Sequence, residues 1–246
     1  MSLRVTLLGT GNAFSDGGRF QSCFLVEGAG ARILVECGGT APAALKRTGI
    51  GPDDPDAIIL SHFHGDHFGG VPYLLVDMSV HGRARPLALA GPPGVAGRVR
   101  AAVEALYPGF GARETPFPLT VIEYRTDEPL EVCGARLRAW PVPHSPATAP
   151  HALRLELGGG VVSFSGDTEW TNTLFEVADG ADLFVCECSS MTPLKGHIDY
   201  ATLLAQSGDL NCGRLLLTHL GADVLARRDS LALSCARDGM VVELLE

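Results

Sequence analysis

With 246 residues, 46% of them apolar, the chain can bury a substantial core, and one domain over residues 1–246 is the expectation. A formal net charge of −9 argues against a broad electrostatic grip on nucleic acid, so no strong general nucleic-acid binding is expected. No run of about 18 apolar residues could span a bilayer, and the first residues enter strand-like sequence without a signal-peptide pattern, so a soluble, cytoplasmic protein is expected.

Short β-like runs separated by glycine-rich turns open the chain at residues 3–8, 23–27, 32–36 and 57–60. Residues 42–47, with a first-turn proline followed by alanines, predict a helix, as do 71–80 and 94–106. The second half predicts strands over 119–124, 135–140, 152–157, 161–165, 183–185 and 215–217, with helices over 172–177 and 200–206. Two strand-rich halves with helices outside imply two sheets packed face to face between helical layers, a four-layer αββα sandwich. Arg136 and Arg138 alternate toward a solvent face, and His81 and His151 are read as surface or loop histidines.

Seven cysteines, Cys23, Cys37, Cys133, Cys186, Cys188, Cys212 and Cys235, are an odd number without paired metal-ligand spacing, and predict buried, reduced thiols. Cys186-Glu187-Cys188 is one residue short of a dithiol motif, and its two thiols would share one face of a strand. Gly9-Thr10-Gly11 follows a strand but lacks the third glycine and ensuing helix of a dinucleotide site.

The densest chemical signal is Ser61-His62-Phe63-His64-Gly65-Asp66-His67, between an apolar strand and a Gly-Gly-Val-Pro turn. Neutral imidazoles and a carboxylate are ligands for a borderline-soft divalent cation, and this run is dense enough for two ions. In extended chain His62 and His64 project to one side, while the following turn can carry Asp66 and His67 to another. Farther along, His144, Asp167 and His219 each lie where an apolar strand ends, a place where a rigid strand fixes position and a loop supplies direction.

The order of these motifs resembles the metallo-β-lactamase superfamily: His-x-His-x-Asp-His, then a distant His, an Asp and a His. That resemblance implies that His62, His64 and His144 hold one zinc and Asp66, His67 and His219 the other, with Asp167 bridging both. It extends to the tRNA 3′-processing branch called RNase Z, through Leu8-Gly9-Thr10-Gly11, residues 61–72, residues 86–94, Gly166-Asp167-Thr168, residues 178–183, Leu216-Leu217-Thr218-His219 and Asp238-Gly239-Met240. In that branch a glutamate after a buried strand works with a histidine beyond the next loop to protonate the leaving oxygen, and Glu187 and His197 occupy the matching places. A Glu making a buried hydrogen bond and a His capping the helix near Asp199 is the plainer alternative.

Three departures bear on the substrate. The stretch from His144 to Asp167 has no room for the tRNA-clasping arm of the family, the loop from Glu187 to His197 is short, and Glu36-Cys37-Gly38 stands where Asp-Cys-Gly is usual. The expectation is therefore a metal-dependent hydrolase with two zinc ions, manganese or iron being acceptable to the same donors, acting as a phosphodiesterase on a small or nucleotide-like ester. Asp66 would orient the attacking water while ligating, and His197 with Glu187 would protonate the departing alkoxide. Hydrolysis of a carboxylic ester, thioester, lactone or sulfate ester is the alternative within enzymes. A non-catalytic, metal-stabilised binding or regulatory protein is the alternative outside them, and a homodimer is possible because relatives of the fold often pair.

Overall fold

Strand-forming, β-branched and apolar runs build the first sheet from an antiparallel opening, β1 (Arg4–Gly9), β2 (Cys23–Gly28) and β3 (Ala31–Val35). The computed structural model describes residues 3–126 and 128–244. Helix α1 (Ala41–Arg47) then crosses to β4 (Ala57–Ile59), which pairs parallel to β3. Helices α2 (Gly65–Phe68) and α3 (Val71–Val80) lead to β5 (Leu87–Gly91), and α4 (Val95–Leu106) to β6 (Leu119–Glu123), again in parallel. These crossovers place all four helices on one face of the sheet.

The second sheet begins as a meander of β7 (Leu130–Val132), β8 (Ala135–Pro141), β9 (His151–Leu157) and β10 (Gly160–Phe164). It continues in parallel through α5 (Thr173–Ala178), β11 (Leu183–Glu187), α6 (Tyr200–Ser207) and β12 (Leu215–Thr218). After α7 (Ala222–Leu225), β13 (Met240–Glu243) returns to the first sheet beside β1. The strand orders are β13-β1-β2-β3-β4-β5-β6 and β12-β11-β10-β9-β8-β7.

Three apolar layers hold these parts together and establish the αββα order. Leu7, Phe24, Ile33, Leu137, Leu155 and Phe164 meet between the sheets. Leu34, Ile58, Leu74 and Val99 pack the first sheet against its helices, and Leu174, Phe184, Leu203 and Val224 do the same for the second. Removing a side chain as large and as fully buried as Phe184 would cost about 3–5 kcal/mol. Arg136 and Arg138 are about half exposed, as their alternation on β8 requires. Among the described residues no helix is long and apolar enough to cross a membrane.

Four short elements were invisible to periodicity. β7 buries one residue fully, β13 likewise, and α2 and α7 span a single turn each, too short for a period of two or 3.6 to register. His151 corrects a sequence expectation: it opens β9 and is buried, its ring edge-on to Tyr124, because its apolar neighbours on both sides place it inside the sheet. His81, by contrast, is exposed and pairs with Asp77 one helical turn away. Cys23, Cys37, Cys186 and Cys188 are buried free thiols as expected, but Cys133 is exposed and Cys212 and Cys235 are half-buried, because they lie in turns and loops outside the strands.

Candidate metal centre

Strand direction brings the scattered residues together. β9 runs antiparallel to both β8 and β10, and β10, β11 and β12 run parallel, so β8, β10, β11 and β12 all point the same way. Their carboxyl ends share one edge of the second sheet, where His144 follows β8, Asp167 follows β10, Glu187 closes β11 and His219 follows β12. The turn to Asp167 requires glycine at 166: φ is +60°, and a Cβ there would lie 2.4 Å from the His151 carbonyl oxygen.

The first sheet supplies one turn. Beyond β4 the chain stays extended to His64, at φ −74° and ψ 150°, and then coils into α2. His62 and His64 thus face one side, while the helical turn carries Asp66 and His67 to the other. His62 Nε2 and His144 Nε2 lie 3.2 and 3.0 Å from His64 Nδ1, and Asp167 Oδ2 is 3.8 and 3.9 Å from the same two Nε2 atoms. On the other side Asp66 Oδ2 is 3.3 Å from His67 Nε2 and 3.1 Å from His219 Nε2. Asp167 reaches these as well, Oδ1 at 3.2 Å from His67 and Oδ2 at 3.3 Å from His219. Two groups of four donors result, His62, His64, His144 and Asp167, and Asp66, His67, Asp167 and His219, with Asp167 common to both.

Outer partners aim the rings. His67 Nδ1 donates to Glu36 Oε2 at 2.8 Å and His144 Nδ1 to the Gly196 carbonyl at 2.6 Å, while His62 Nδ1 meets Ser61 Oγ and His219 Nδ1 meets Ser189 Oγ, both at 2.9 Å. A bond at Nδ1 leaves the Nε2 lone pair pointing inward, the usual outer-shell arrangement of ligating histidines. Glu36 also accepts the Ser61 N–H at 2.6 Å, so one buried carboxylate braces both ends of the His62–His67 turn.

The two groups differ in charge. Burial, together with neighbouring imidazoles, lowers the pKa of His62 and His64. Burial also acts to lower His67 and His219, but Asp167 and Asp66 overcome it and raise both. For Asp66 and Asp167 burial pushes upward, and the imidazoles beside them win, holding both carboxyls below the usual range.

Divalent cations fit this donor set. His67 Nε2 and Asp167 Oδ1 are buried without a hydrogen-bond partner, and an orphaned buried polar atom costs about 1–3 kcal/mol. Two imidazole nitrogens, His62 Nε2 and His144 Nε2, lie 3.2 and 3.0 Å from the single Nδ1 of His64, so three ring nitrogens converge where one cation could take a lone pair from each. Nitrogen and carboxylate donors in groups of four suit zinc, and manganese or iron as well.

Beside the second group stands the Glu187–His197 pair. Glu187 is wholly buried, and His197 Nδ1 lies 3.0 and 3.1 Å from its two carboxylate oxygens. The Thr168 N–H and Ser189 Oγ each donate to Glu187 at 2.7 Å. The His197 ring stacks on His219 at 5.4 Å between centroids and meets His144 at 4.9 Å. Burial opposes a charge on His197, but the Glu187 hydrogen bond and charge, with help from Asp167, raise its pKa to about 9. The helix cap is Asp199, whose carboxylate accepts the Thr202 N–H, so His197 is free of that duty.

Ser189 was not singled out in the sequence. Its hydroxyl accepts from His219 Nδ1 and donates to Glu187, linking the donor cluster to the His197 pair. The available signal was its spacing: two residues beyond Glu187, it falls on the same side of an extending strand.

The sequence profile of the Metallo-beta-lactamase superfamily matches residues 16–219. A protein named Ribonuclease Z from Mycobacterium bovis is 33% identical over 193 residues, covering 74% of this chain and 69% of its own. The metallo-beta-lactamase fold protein YhfI from Bacillus subtilis superposes with a TM-score of 0.80 at 22% identity, over 98% of this chain and 99% of its own. The short form of human tRNase Z superposes with a TM-score of 0.77 at 20% identity, over 99% of this chain and all of its own.

Proposed function

The chain belongs to the metallo-beta-lactamase superfamily of metal-dependent hydrolases, in the Ribonuclease Z branch, and we propose that it hydrolyses a small or nucleotide-like phosphodiester at a two-zinc site. The observation that carries this reading is the buried Glu187 carboxylate 3.0 Å from His197, set against the donor cluster. A held imidazolium suits an alkoxide leaving group, which needs a proton as the P–O bond breaks.

His62, His64 and His144 would hold one cation and Asp66, His67 and His219 the other, with Asp167 serving both. When bound, such ions supply Lewis acidity, bringing the pKa of a water from about 15.7 toward 7 and offsetting charge on phosphoryl oxygens. Asp66, kept ionised by His67 and His219, orients the attacking water through its carboxylate. Glu187 accepts the Nδ1 proton of His197, which leaves the other ring proton on Nε2 for the departing oxygen. The Glu187 hydrogen bond and charge favour the imidazolium form of His197.

Substrate size follows from the connection between His144 and Asp167. It holds only a short turn and the β9–β10 hairpin, with no arm to embrace a folded RNA. Hydrolysis of bis(p-nitrophenyl) phosphate by zinc- or manganese-loaded protein tests the reading. Intact phosphodiesters alongside cleaved thioesters or lactones would move the protein to the other ester chemistry, and no turnover of any ester by metal-replete protein would favour a binding role.

A further inference from the structure

The loop that carries His197 is fastened to the site by a side chain from another connection. Gly196 accepts from His144 Nδ1 through its carbonyl and donates its own N–H to Glu169 Oε1 at 2.8 Å. The Glu169 N–H donates in turn to the Pro143 carbonyl at 2.8 Å, one residue before His144. Glu169 therefore joins the connections that follow β8, β10 and β11, which bear His144, Asp167 and His197.

Other bonds of the loop do different work. His197 N–H to the Leu194 carbonyl, at 3.1 Å, closes a local turn, and Ser189 N–H to the Ile198 carbonyl, also 3.1 Å, secures the loop's base. Neither reaches the β8 or β10 side. Glu169 is exposed, and among the described residues no cation pairs with it, so an ion pair does not explain its carboxylate. Gly196, at φ +84°, would bring a Cβ to 3.2 Å from His144 Nδ1, so its bare peptide can lie between His144 and Glu169.

We propose that Glu169 is a positioning residue that latches the 194–197 loop across the site and so sets where His197 Nε2 meets the leaving oxygen. This rests on the proton-donor role of His197 proposed above. In metal-loaded Glu169→Ala protein, metal content should be unchanged. Turnover of alkyl phosphodiesters should fall by about tenfold or more, against less than about threefold for p-nitrophenyl esters, whose leaving oxygen needs no proton. Hydrogen exchange at the Gly196 amide should accelerate. Glu169→Gln keeps an acceptor oxygen and should restore most of both. Equal losses for the two ester classes, no recovery with glutamine, or an unchanged Gly196 exchange rate in Glu169→Ala would overturn the latch. His197→Ala is the control for the underlying reading: if that variant lacks leaving-group dependence, the donor role fails, and the Gly196 exchange rate alone decides the latch.

Discussion

The two sheets supply the donor cluster in opposite ways. The first gives His62, His64, Asp66 and His67 from one turn, braced at both ends by Glu36. The second gives His144, Asp167 and His219 one at a time from three strand ends, with the Gly196 carbonyl aligning His144 and the Ser189 hydroxyl aligning His219. One continuous turn places four groups together, held by Glu36 and by the Cys37 N–H on the His67 carbonyl and the Phe63 N–H on the Thr148 carbonyl. Strand ends do so only if the whole sheet is in register, so damage to the second sheet should spread farther than damage to the first.

The sharpest way to break that contrast is Asp167→Ala, which removes the one carboxylate common to both groups. Metal per chain should drop for both ions, whereas His64→Ala should lose only the ion of its own group, as read by elemental analysis. Equal loss in the two variants would erase the distinction between shared and single donors. His197→Ala should keep its metals and slow hydrolysis of esters with poor leaving groups by about 10²–10⁴-fold, with little effect on activated esters; a uniform loss would remove the acid role.

Smaller effects sharpen the comparison. Gly166→Ala forces a side chain into φ +60° against the His151 carbonyl and should cost about 1–3 kcal/mol, seen as a lower Tm together with weakened metal retention. Wild-type values would mean that the β10 end relaxes freely. In metal-free protein the His197 ring should titrate near 9 by NMR, and Glu187→Gln should bring it down. Because the folded-state value is raised above 6.5, this residue contributes stability that is present in full below pH 6.5 and lost as the pH rises through about 9. A midpoint unmoved by Glu187→Gln would detach the pair.

Legibility tracked how local each feature is. The run 61–67 announced itself because its donors are contiguous, and the longer strands and helices because apolar periodicity repeats within each. His144, Asp167 and His219 were found by their order along the chain and by family resemblance, since a lone polar residue at a strand end resembles any turn. His151 was misplaced because polarity alone suggested the surface, whereas its position in β9 buries it. Glu169 and Ser189 offered less still, for their partners lie in other connections.

Composition, periodicity and the spacing of histidines and aspartates were enough to establish a layered α/β chain with a metal-binding character, because those properties belong to short stretches that each express their own pattern. Family resemblance added Asp167 as the shared carboxylate and Glu187 as the partner of His197, but which ring nitrogen faces inward, and how Ser189 and Gly196 aim those rings, arose only when parallel strands aligned their carboxyl ends. Hydrogen bonds between residues far apart in the chain have no trace in local sequence, and burial then shifted the protonation of the groups they brought together.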